Sequence, residues 1–127
     1  MTVLWIAIGG ALGSLGRYWL SEALAVALGP AFPWGTLLVN VSGSFVIGFV
    51  AGGSGAGGRW IESAFARQFI MIGLCGGYTT VSAFSLQTVA MLQAGDVGRA
   101  SLNVAGSVGL CLAATFLGFV SAATLTR

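Results

Sequence analysis

The sequence predicts an all-α membrane protein with four transmembrane helices per chain, in a single domain over residues 1–127. Three observations predict it. Apolar residues make up 57% of the chain and charged residues only 6%, whereas a soluble surface needs roughly 25% charged residues. The charges, Arg17, Glu22, Arg59, Glu62, Arg67, Asp96, Arg99 and Arg127, leave uncharged intervals at 1–16, 23–58, 68–95 and 100–126. A helix crosses about 30 Å of hydrocarbon with about 20 residues, so the chain holds four crossings and little else.

The first interval is 16 residues long. It reaches spanning length only if Arg17 lies within the last turns of its helix, which places span one near Val3–Leu20. The remaining spans fall near Trp34–Gly53, Ala64–Leu92 and Ala100–Thr124. Leu28-Gly29-Pro30, the run Gly52-Gly53-Ser54-Gly55-Ala56-Gly57-Gly58, and Ala94-Gly95-Asp96 punctuate them as loops. Trp5, Trp34 and Trp60 sit near span ends, where indole rings prefer the membrane interface. Unbroken α-helix is the default in lipid, because each backbone donor and acceptor must find a partner inside the segment.

Four crossings put both termini and the second loop on one side, with Arg59, Arg67 and Arg127. The other side holds Arg99, joined by Arg17 if its side chain snorkels to the nearer surface. So weak a charge bias suits insertion in both orientations. Four helices are also too few to enclose a pore alone, and together these points suggest an antiparallel homodimer.

Several function classes drop out. The net charge is +2, with no Lys and five scattered Arg, so no basic patch exists to grip nucleic acid. The chain has no His, and its three carboxylates fall in loops or at span ends, so no nucleophile–base pair assembles and the protein is not expected to be an enzyme. Cys75 and Cys111 lie in apolar stretches and read as small hydrophobes, not as a disulfide framework or a metal site. The N-terminus carries no cationic leader, and Val3 onward reads as mature protein. Gly10, Gly13 and Gly16 read as a packing face, since no strand precedes them, and the sequon Asn40-Val41-Ser42 is set aside because it lies inside a span.

The third span concentrates polar groups where they are costly. Thr79, Thr80, Ser82, Ser85, Gln87 and Thr88 crowd its middle, directly after Gly76-Gly77. Hydroxyls bonding back to their own helix would explain some of them. A helix broken at Gly76–Thr80 explains them better, because broken helices at membrane depth line cavities and expose half-helix ends to ions. Thr36, Asn40, Ser44, Gly48 and Gly52 recur every four residues, as do Asn103, Ser107, Cys111 and Thr115, so each set lies on one helix face. Small-residue packing accounts for either stripe as well as a polar track does. A lone amide at mid-depth needs partners, which favours the track at Asn40. Donors without carboxylates suit an anion better than a cation. Arg17 is the one charge embedded in a span, either snorkelling or serving a structural or electrostatic role near a pore.

Three segments resemble a known family. Gly13-Ser14-Leu15-Gly16-Arg17-Tyr18, then Pro33-Trp34-Gly35-Thr36-Leu37-Leu38-Val39-Asn40, then Gly73-Leu74-Cys75-Gly76-Gly77-Tyr78-Thr79-Thr80-Val81-Ser82-Ala83-Phe84-Ser85 resemble the Fluc (CrcB) fluoride channels, in order and across all four spans. The resemblance implies an antiparallel, dual-topology dimer in the cell membrane, with two fluoride pores and a structural sodium ion at its centre. It assigns that sodium to the backbone carbonyls of Gly76 and Thr79. It makes Asn40 a pore amide donor and puts the family's paired phenylalanines at positions 81 and 84. The pore it implies holds Asn40, Val81, Ser82, Phe84, Ser85, Asn103, Ser107 and Cys111. Ring edges are positive, so phenyl edges and amide or hydroxyl donors together replace the hydration of a small, hard anion. The implied function is passive export of cytoplasmic fluoride, hence fluoride resistance.

Four positions depart from the family pattern. Val81 replaces the first phenylalanine, Gln87 a glutamate, Asn103 a usual tyrosine and Cys111 a common hydroxyl residue. Val81 offers no ring edge, and the resemblance also admits channels built from two unlike chains, each with part of one pore lost. A small multidrug-type transporter is the other four-span class. It uses a membrane-embedded carboxylate, and no span centre here carries one. A non-transporting scaffold would explain the glycine faces but not the polar cluster of the third span.

Overall fold

The computed structural model describes residues 1–54 and 64–125. Arg59, Trp60, Glu62, Arg127 and the loop glycines Gly55, Gly57 and Gly58 lie outside the described residues. Among the described residues the chain is helical, with no strand. Helix α1 spans Thr2–Leu28, α2 Trp34–Gly53, α3 Ala66–Cys75, α4 Val81–Gln93 and α5 Val97–Leu125. A single α-turn, Gly76–Tyr78, extends α3, and with α4 these form one length of 28 residues. Among the described residues, four lengths are therefore long and apolar enough to cross a membrane.

Two boundaries differ from expectation. Helix α1 continues eight residues past Leu20, through Ser21–Leu28, which is rich in Ala and Leu and so favours helix. It stops at Gly29, whose φ of 81° suits glycine, before Pro30. Arg17 is therefore in the body of α1, not its last turns, and is half-buried. The third span is helical through Tyr78, so its irregular residues are Thr79 and Thr80 alone, not the whole of Gly76–Thr80. Its first part, α3, is wound as a π-helix, in which each ring closes from i to i+5.

The glycine faces set the packing. Helix α2 lies on α5, and α1 lies on α3. A Cβ at Gly48 would collide with the Thr115 backbone, and one at Gly118 with the Phe45 carbonyl. Gly13 likewise lies against the Leu74 carbonyl and the Tyr78 amide, as the glycine spacing of span one predicts. In lipid, without a hydrophobic drive between helices, such close backbone approach supplies the van der Waals contact that holds them.

Helix α4 is the exception, since none of its residues is buried. Its ends are nevertheless fixed. Gly95, at φ 79°, follows α4 in a Schellman turn: its amide donates to Leu92 and the Asp96 amide donates to Met91. Asp96 then caps α5, its Oδ1 accepting from the Arg99 amide at 3.1 Å, and pairs with the Arg99 guanidinium at 3.4 Å.

Candidate functional site

The two extended residues are held open from α2. Thr79 (φ −78°, ψ 154°) and Thr80 (φ −152°, ψ 116°) separate the turn Gly76–Tyr78 from α4. Asn40 bridges them in both directions: its Nδ2 donates to the Thr80 carbonyl at 3.0 Å, and its Oδ1 accepts from the Thr80 amide at 2.7 Å. One partner is a donor and the other an acceptor, so the network itself fixes which way the Asn40 amide faces. The side-chain amide carries two N–H groups, and the second is not committed to Thr80.

This bridge redirects the helix's own bonds. In a continuous α-helix the Thr80 amide would close onto the Gly76 carbonyl, and the Ala83 amide onto the Thr79 carbonyl. Instead Thr80 donates to Asn40, and Ala83 donates to Thr80 Oγ1 at 3.1 Å, making Thr80 the N-cap of α4. The carbonyls of Gly76 and Thr79 thus lose their α-helical donors. Thr79 closes the preceding turn twice over, its amide and its hydroxyl both donating to Cys75 at 2.9 Å.

A cavity of about 450 Å³ opens beside the interruption. Of the residues predicted for the site, Asn40, Gly76, Thr79, Val81, Phe84, Ser107 and Cys111 line it together. They come from α2, α4, α5 and the turn, so the fold collects residues as far apart in sequence as Asn40 and Cys111. No carboxylate is among its lining residues. Its polar atoms are an amide, hydroxyls, thiols and backbone groups, and the N-terminus of α4, with its positive dipole end, lies at its edge. The cavity thus brings together amide and hydroxyl donors and the backbone at the interruption.

Four predicted residues lie elsewhere. Asn103 is 1% exposed and does not line the cavity; its Nδ2 donates to Thr88 Oγ1 at 3.0 Å, and its Oδ1 accepts from Ser107 Oγ at 3.4 Å. Thr88 passes the chain of bonds to the Phe84 carbonyl at 2.7 Å. Ser82 is exposed, 3.2 Å from the Thr80 hydroxyl, and Ser85 is exposed on α4. Arg17 belongs to neither cavity. The back-bonding reading holds for part of the polar cluster, since Thr79 and Thr88 both bond to the carbonyl four residues earlier.

Sequence reasoning missed Met71 and Ile47 as lining residues. Both sit in apolar runs where nothing but the fold distinguishes them. Ser44 was legible only as a member of its four-residue stripe. Gln87 lines a second cavity of about 520 Å³ near the α1–α2 loop, with its buried Oε1 lacking a partner.

Comparison with known proteins bears on this geometry. The profile of the family described as "CrcB-like protein, Camphor Resistance (CrcB)" matches residues 4–119. A protein of Methylocella silvestris named fluoride-specific ion channel FluC is 50% identical over 127 residues, covering 100% of this chain and 97% of its own length. One of the same name from Opitutus terrae is 54% identical over 122 residues, covering 96% and 92%. Another, from Rhodospirillum rubrum, is 52% identical over 127 residues, covering 100% and 98%.

Proposed function

The chain belongs to the CrcB-like family, and from that membership we propose that it is a fluoride-selective ion channel releasing cytoplasmic fluoride passively. It is a multi-pass membrane protein and a channel, not an enzyme. The observation that carries the reading is the cavity beside Thr80, rich in donors and free of carboxylates. Fluoride is small and strongly hydrated, so it crosses only where fixed donors replace its water. The uncommitted N–H of Asn40, the Ser107 hydroxyl and the edge of the Phe84 ring are such donors. Membrane potential drives the anion outward, and no ATP is needed.

The working unit is an antiparallel dimer with two pores, in the cell membrane. Ser82, Ser85 and Gly76 are exposed on the single chain, and α4 buries nothing within it. Hydrocarbon gives such groups no partner, whereas a second copy does. The interruption of the third span then falls at mid-membrane, inside the dimer.

A sodium ion at the dimer centre fits the same residues. The carbonyls of Gly76 and Thr79 are the two whose helical donors are diverted to Asn40 Oδ1 and Thr80 Oγ1. A hard cation takes such oxygens readily. When bound, sodium neutralises the carbonyl ends that the interruption leaves behind.

The experiment is fluoride efflux from liposomes containing only this purified chain, followed with a fluoride electrode and with chloride as control. Rapid, fluoride-selective efflux is expected. Well-folded protein without efflux would instead mean that a second, unlike chain completes the pores, a reading that Val81 favours by supplying no ring edge.

A further inference from the structure

Tyr78, the last residue before the interruption, is held between α1 and α2. Its ring lies in a slot between two glycines: a Cβ at Gly43 of α2 would press on one ring edge at 3.1 Å, and a Cβ at Gly16 of α1 would meet the other at 3.8 Å. Its hydroxyl lies 2.9 Å from Ser42 Oγ. Ser42 has a single proton, which it gives to the α2 carbonyls of Leu38, at 2.7 Å, and Val39, at 3.2 Å. Tyr78 is therefore the donor of the pair and Ser42 the acceptor.

Thr79 thus sits between two attachments to α2, Tyr78 on Ser42 and Thr80 on Asn40. In a trans peptide the carbonyl points opposite to the N–H that follows it. The Thr80 N–H points to Asn40 Oδ1 at 2.7 Å, so the Thr79 carbonyl, already without its helical donor, points away from that oxygen. Asn40 sets the direction of this carbonyl, and the bond from Tyr78 to Ser42 sets how closely the backbone before it is drawn to α2. We propose that Tyr78 is a positioning residue for the cation site: its hydroxyl bond to Ser42 holds the Thr79 carbonyl where a sodium ion at the dimer centre takes it. This role rests on the sodium reading given above and involves no contact between Tyr78 and the ion.

The test reads sodium binding through stability, without a transport assay, since an ion bound only by the folded protein raises its melting midpoint. Purified protein in detergent is melted while sodium chloride replaces N-methylglucamine chloride at constant ionic strength. The wild-type midpoint should rise with sodium and saturate. Tyr78→Phe keeps the ring in its slot and removes only the hydroxyl; it should need roughly tenfold more sodium for half of that rise, the usual scale for loss of a group that orients a ligand. Ser42→Ala, in a helix that alanine favours, should shift the sodium requirement equally and carries the test alone if Tyr78→Phe does not fold. The double variant should shift it no further than either single one, because both remove the same bond. A variant that melts lower without sodium yet keeps the wild-type sodium requirement would overturn the proposal by reducing Tyr78 to a packing role. Additive shifts would overturn the pairing with Ser42. A wild-type midpoint indifferent to sodium would overturn the sodium reading itself, and the role of Tyr78 with it.

Discussion

Asn40 of α2 and Thr80 at the head of α4 exchange hydrogen bonds in both directions, at 3.0 Å and 2.7 Å. One side chain thus satisfies both backbone groups of the residue that interrupts the third span. The same side chain lines the cavity with a further N–H to spare. Shape and chemistry are joined at Asn40: the amide that holds the backbone open also lines the cavity.

Asn40→Asp should abolish fluoride efflux. An ionised carboxylate accepts hydrogen bonds but donates none, so the Thr80 carbonyl loses its partner and a negative charge enters the cavity. The lost bond and unsatisfied carbonyl cost about 1–3 kcal/mol of stability. Efflux is read by electrode, and folding by size-exclusion profile and thermal melting in detergent. An Asn40→Asp channel with normal fluoride efflux would refute the role given to the donors.

Val81→Phe should preserve or raise efflux. Val81 is 75% exposed on the single chain, so its side chain has room to grow on that surface. A phenyl ring there adds the positive edge that valine lacks. Initial efflux rates of the two proteins at equal loading decide it, and a Val81→Phe protein that folds but conducts much more slowly would contradict the expectation.

The spans were legible because charge and lipid leave few choices. Trp34–Gly53 matches the predicted second span at both ends, since Pro33 and the glycines mark it. The interruption was legible only as a region. Glycine content pointed to Gly76-Gly77, but these residues stay helical, and the tertiary bond from Asn40 selects Thr80 instead. Nothing local in Ala66–Cys75 announced its π winding. The partners of Asn103 were legible only in part: spacing of four puts it on the face of Ser107, to which it is bonded, but only the fold puts Thr88 opposite it.

Asn103→Leu should destabilise the protein by roughly 1–3 kcal/mol, because it strands the Ser107 hydroxyl and removes the bond from α5 to Thr88. Among the described residues this is the side-chain hydrogen bond that ties α4 to α5 along their length. The midpoint of thermal unfolding in detergent should fall, and an unchanged midpoint would show that α4 is held by other means.

Gly48→Ala and Gly109→Ala should differ sharply. A Cβ at position 48 meets the Thr115 backbone, whereas one at position 109 meets nothing within 4 Å. Overpacking of this kind costs about 1–3 kcal/mol. At Gly109, in the interior of α5, the gain in helix propensity is up to about 1 kcal/mol. Paired melting curves measure both, and equal midpoints would remove the basis for the α2–α5 packing given above.

The central claim, that donors fixed around an open third span carry fluoride, is tested most directly by electrode recordings of liposomes bearing wild-type chain or Asn40→Asp. Rapid fluoride efflux from the wild type, slow chloride efflux, and no fluoride efflux from a folded Asn40→Asp variant is the expected result. Equal fluoride and chloride efflux from the wild type, or equal fluoride efflux from both proteins, would contradict it.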